Sequence, residues 1–127
     1  MANTEEKTGL LGSFPLTDQS ITENVIAREG QWMIGVFLLG HVKKTDNKRR
    51  FIVQAVGRSD SDMAATLMEQ VGKYESFKFH TYASTRRAFE KECRLFHKFK
   101  PADTQAHPKP PENTKFVCPD ALCPLGE

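Results

Sequence analysis

Proline is missing from residues 31–100, although the 127-residue chain contains seven prolines. Six of them lie in 101–127 and the seventh is Pro15. Proline density of that kind excludes regular helix and central strand, so 101–127 reads as a Pro-rich tail. The proline-free middle reads as the packed unit, within a domain spanning 21–100. Long apolar runs are also absent. Nothing approaches the roughly 20 residues that cross a bilayer, so no membrane partner is expected. Residues 1–20 carry Glu5, Glu6, Lys7 and Asp18 without a continuous apolar stretch. No secretory leader is expected there, and the segment reads as a flexible tail. Cysteine is scarce and odd in number, at three, which suits a disulfide framework poorly. The expected compartment is the reducing cytoplasm, where metal binding or a buried thiol is the informative role for cysteine. Neither sign of charge dominates. There are 18 basic and 16 acidic residues, net +2, so the chain as a whole has no bulk affinity for polyanions.

What remains is a Phe-rich unit. Trp32 to Val42 is apolar and β-branched, as in a buried strand, and Arg50 to Val56 reads as a second strand. The polar stretch Lys43 to Lys48 between them predicts a hairpin turn. Ser59-Asp60-Ser61-Asp62 supplies capping residues, and Met63, Leu67 and Val71 recur at helical spacing. Phe77 to Tyr82 alternates as a third strand. Ser84 or Thr85 caps a last helix running to about Phe99, and a short helix over 22–28 follows Ser20. The expected fold is α+β, in the order β-β-α-β-α, with a three-stranded antiparallel sheet flanked by helices.

The last helix carries an anomaly. At about 100° per residue, Ala88, Glu92, Leu95 and Phe99 share one sector, so Glu92 stands inside an apolar stripe. Two readings fit: a functional or pocketed carboxylate, and a stripe-edge glutamate reaching out to a cation. Cys93 and His97 stand four residues apart on the same helix, and Cys118 and Cys123 bracket a C-x4-C loop containing Pro119. Cys93, His97, Cys118 and Cys123 together form a candidate Cys3His zinc site, with His107 a spare ligand. Such a site would be structural and would clip the tail to the helix. The alternative is a core thiol, a surface histidine and a reducible tail pair.

The low net charge conceals a pattern. Residues 41–58 hold Lys43, Lys44, Lys48, Arg49, Arg50 and Arg58 against Asp46 alone. Residues 76–100 hold seven basic residues against Glu90 and Glu92. One reading is a nucleic-acid phosphate face carried by Lys43, Lys44, Lys48, Arg49, Arg50 and Arg58. The other is ordinary solvated surface, and no interleaved aromatics for base stacking are evident.

Gly35-Val36-Phe37 on the first strand and Ala55-Val56-Gly57-Arg58-Ser59 ending the second resemble a worn GIY…YIG pair. With the helix that follows and Ala88-Phe89-Glu90-Lys91-Glu92, the chain resembles the GIY-YIG endonuclease domain over about residues 22–123. It is closer still to small bacterial GIY-YIG-like proteins with a VGRSD turn, an FEKEC-type helix and an HP…P…CP tail. The resemblance implies a three-stranded antiparallel sheet and metal-assisted phosphodiester hydrolysis. In that family a tyrosine pair activates water, an arginine on the first helix steadies phosphate, and a later glutamate holds a divalent cation. Here the tyrosine positions are Phe37 and Ala55, the arginine position is Thr66, and a frequent histidine position is Gln70. Glu92 and Arg58 remain as the catalytic remnant. Each missing role is worth about 10²–10⁴-fold in rate.

Three functions follow as expectations. The first is a catalytically degenerate module that binds nucleic acid, DNA or RNA, or a protein partner. The second is an active endonuclease using magnesium, Glu92 and Arg58 with Tyr74, Tyr82 or His41 in substituted roles. The third is a structural or assembly protein.

Overall fold

A computed structural model describes residues 9–30, 33–104 and 106–119. The chain begins with β1 (Leu11–Pro15) and a helical stretch made of α1 (Asp18–Ile21), a π-helical turn (Thr22–Ile26) and α2 (Ala27–Glu29). It continues through β2 (Gly35–Thr45), β3 (Lys48–Ser59), α3 (Met63–Met68), β4 (Ser76–Thr81) and α4 (Thr85–Phe99). The fold is α+β, an antiparallel sheet in the order β1-β4-β2-β3 flanked by helices. Among the described residues no helix is long and apolar enough to cross a membrane.

The sheet has four strands where the sequence predicts three, and the additional one comes from the segment read as a tail. Five residues containing Gly12 and Pro15 carry little strand signal of their own. The Phe14 ring decides the matter, packing 5.6 Å from Phe77 and 5.9 Å from Phe79 between centroids. Pro15 is tolerated because β1 lies at the edge of the sheet, where a missing N–H breaks no internal ladder.

Alternation along the strands builds two cores. Phe37, Leu39, Ala55, Phe77 and Phe79 face the N-terminal helical stretch and α3, meeting Ile21, Val25, Met63, Ala64 and Leu67. Val36, Leu38 and Val56 face the other way and pack on Ala88 and Leu95 of α4. A third cluster extends the second core under the C-terminal segment through Phe89, Cys93 and Cys118, with Phe116 alongside. The Phe37 ring lies across Gly57, its cross-strand partner, where a Cβ would stand 2.4 Å from the ring.

Two caps set the helix starts. The Asp62 side chain accepts from Ala65 N at 3.0 Å, and the Ser84 side chain accepts from Arg87 N at 3.2 Å. Lys100 closes α4 in the left-handed conformation, and Pro101 follows. Beyond it the chain docks along the outer edge of β3. Asp103 N donates to Gln54 O at 2.9 Å, and the Thr104 hydroxyl bridges Val56 N and Val56 O. The edge that β3 would otherwise present is covered there.

Candidate metal centre and basic ribbon

β2 and β3 are longer than their apolar cores predict. Only Asp46 and Asn47 turn, both with positive φ (49° and 68°), as in a two-residue type I′ hairpin. Lys43, Lys44, Lys48, Arg49 and Arg50 are therefore strand residues, all exposed. β4 pairs with β2 only as far as Gly40. Residues 41–52 thus run on as a two-stranded ribbon past the sheet. Cross-strand partners there are Lys43 with Arg50 and Lys44 with Arg49. Arg58 lies outside this ribbon. It stands near the other end of β3 with its side chain 11% exposed, which corrects its assignment to a phosphate-binding face.

That burial comes from a carboxylate clamp. Arg58 Nη1 donates to Glu92 Oε1 at 2.6 Å, while Nε and Nη2 donate to Asp60 at 2.8 and 3.2 Å. The guanidinium also lies over the Phe89 ring at 5.4 Å. Glu92 is a buried member of α4, and loss of water pushes its carboxyl up to about 7 against the opposing pull of Arg58, with Asp60 adding to the rise. Since the folded value lies above the ordinary 4.5, the folded chain binds this proton more tightly than the unfolded chain does. The contribution of this group to stability is complete below about pH 4.5 and is lost as pH rises to about 7, by about 3 kcal/mol. Glu92→Gln removes that decline. Urea titrations at a series of pH values check it, and a wild-type curve flat over that window contradicts it.

The structure does not gather the remnant of a hydrolytic site. Glu92 and Arg58 meet on the α4 face of the sheet. Phe37 and Ala55 lie buried in the opposite core. Thr66, on α3 beside that core, spends its hydroxyl on Asp62 O. The substitutes for a water activator are engaged elsewhere: His41 with Gln54, Tyr74 with Asp103, and Tyr82 packed against His80. Among the described residues none of these three hydrogen-bonds to Glu92 or Arg58.

A different cluster does converge. α4 turns Phe89 and Cys93 toward the C-terminal segment, which carries His107, Pro108, Phe116 and Cys118 back across them. The donor atoms of Cys93, His107 and Cys118 lie within 4.8 Å of one another, and this set could hold a metal ion. Both sulfurs are buried. His107 Nδ1 stands 2.8 Å from the Pro108 carbonyl oxygen, which can only accept, so Nδ1 carries the hydrogen and Nε2 keeps its lone pair. Two thiolates and an imidazole are a donor set suited to zinc. The set differs from the one drawn from spacing. His107, the spare ligand, joins Cys93 and Cys118. His97 is not within that distance of all three donors, but its Nε2 stands 3.3 Å from His107 Nε2. Cys123 lies outside the described residues. The signal for His107 in the sequence is the His-Pro pair itself, because the carbonyl of the rigid residue that follows orients the ring.

No protein-family model matches the chain, and no curated protein or solved structure is significantly similar to it.

Proposed function

We propose that this chain is a DNA-binding module of GIY-YIG-like descent whose hydrolytic site has been replaced by packed core, and whose C-terminal segment is fastened to α4 by a structural zinc ion. The β2–β3 ribbon is the binding element. The observation that carries this reading is the pairing of like charges across the ribbon, Lys43 opposite Arg50 and Lys44 opposite Arg49. Like charges placed directly opposite destabilise a hairpin, by an amount of the order of the 0.2–1 kcal/mol that a favourable pair contributes. Phosphate groups between and beside them offset that repulsion. The ribbon extends about 17 Å past the sheet at the usual rise per strand residue. A two-stranded ribbon fits the major groove of B-form DNA, roughly 12 Å wide, whereas the major groove of A-form RNA is too deep and narrow for side chains to read. The loss of the tyrosine and arginine positions to Phe37, Ala55 and Thr66 supports binding without cleavage.

Fluorescence anisotropy with a labelled duplex tests the reading. Five phosphate contacts predict a slope of log affinity on log salt of about −4 to −5. Lys43→Glu with Arg50→Glu flattens that slope by about 2 and weakens binding by at least about tenfold at low salt. Plasmid incubated with the protein and magnesium stays uncut. Affinity indifferent to salt and to the double charge reversal would remove the ribbon as the binding element.

A further inference from the structure

We infer that His97 completes the metal centre, making it a Cys2His2 site of Cys93, His97, His107 and Cys118. This rests on the zinc reading above and deepens it by naming the fourth ligand. Three observations carry it. First, Cys93 and His97 are one turn apart on α4, so their side chains leave the helix on the same side with Cβ atoms about 5–6 Å apart. An ordered helix spanning both fixes their spacing before any ion binds. Second, His107 is already in the tautomer that a metal requires, its Nδ1–H committed to the Pro108 carbonyl and its Nε2 turned toward His97. Third, the Nε2 atoms of His97 and His107 are 3.3 Å apart. Two ring nitrogens at the usual zinc distance, on one tetrahedral ion, stand about 3.3–3.4 Å from each other.

An open cleft of about 380 Å³ beside His107 and Cys118 is walled mainly by Phe89, Pro108, Pro110, Phe116 and Val117, with Lys109 at its wall. The ion neutralises both thiolates, so a Cys2His2 centre carries no net charge. Zinc binding releases one proton from each of the two thiols and leaves the two imidazoles neutral.

X-ray absorption on the zinc-loaded full chain reads the ligand set directly. The expected shell has two sulfurs at about 2.3 Å and two nitrogens at about 2.0–2.1 Å. Three sulfurs and one nitrogen would overturn the His97 assignment while leaving zinc in place. Failure to load stoichiometric zinc under reducing conditions would overturn the zinc reading together with it. Competition against a chromophoric chelator gives an independent readout. His97→Ala weakens zinc binding by about 10–100-fold or more, and Cys123→Ser leaves it within about twofold. His97→Cys recovers most of the affinity and adds a third sulfur to the shell. The reverse ranking, with Cys123→Ser weak and His97→Ala unaffected, overturns the inference.

Discussion

On the proposed zinc clip, Cys118→Ser should abolish stoichiometric zinc binding, remove amide protection from the segment after α4, and cost about 4 kcal/mol or more of unfolding free energy. Among its described residues this segment forms no strand or helix, and its contacts include the Asp103 and Thr104 bonds to β3, the Tyr74 hydroxyl on Asp103, the Arg86 guanidinium over Phe116 and the apolar cluster of Phe116 and Cys118. Structural zinc is worth about 10–16 kcal/mol to a peptide that folds only around it. The loss here is smaller because two cores flank the sheet without help from the ion. Hydrogen exchange should therefore divide the molecule, with amides of β2, β3 and β4 staying protected while the segment after α4 exchanges freely. Cleavage by trypsin after Lys115, an exposed residue, gives the same result more cheaply. Unchanged zinc content in Cys118→Ser, with protection after α4 intact, would mean that packing alone holds the segment.

Arg58→Leu costs about 1–3 kcal/mol at pH 7, the cost of leaving buried hydrogen-bonding groups without their partner. The substitution leaves Glu92 buried on α4 without its 2.6 Å partner, and Asp60 loses both of its bonds to the guanidinium. With the cation gone the Glu92 carboxyl, already raised to about 7, rises further and takes up a proton at neutral pH, so the loss grows as pH rises above about 7, where the wild-type carboxylate is held by Arg58. Arg58→Leu with Glu92→Leu should fall close to wild type, because a well-packed apolar pair avoids the desolvation of two ions. Denaturant titration of the two single variants and the double variant gives the coupling between them. A single-variant loss below about 1 kcal/mol would show that water reaches Glu92 and that the clamp is no part of what stabilises the α4 face.

Several elements were legible from local pattern. The run of α4 from its Ser84 cap to Lys100 and Pro101 follows from capping chemistry and from a 3.6-residue apolar repeat. Glu92 stood out within that stripe, and of the two roles offered for it the structure adopts the cationic partner, here Arg58 from a strand 34 positions earlier. The β2–β3 hairpin was visible, but its ribbon was hidden because Lys43, Lys44 and Lys48 have low strand propensity and, with Thr45 to Asn47, resemble a polar turn. Only the cross-strand register and the two positive-φ residues, Asp46 and Asn47, extend the strands through them.

Residue types and spacing by themselves determined an α+β domain, an amphipathic last helix with Cys93 and His97 one turn apart on it, and basic charge concentrated between residues 43 and 50. Each of these depends on neighbours within a turn or a strand repeat. Tertiary structure alone decided three things: that Leu11–Pro15 joins the sheet, that Phe37 and Ala55 lie across the sheet from Glu92, and that His107 meets Cys93 and Cys118. The reason is common to all three. β1 joins through Phe14 on the Phe77 and Phe79 rings, Phe37 and Glu92 are parted by the alternation of a sheet covered on both faces, and His107 arrives on a segment whose course is fixed by the edge of β3 and the side of α4. Each depends on contacts between residues distant in sequence, and no local period encodes them.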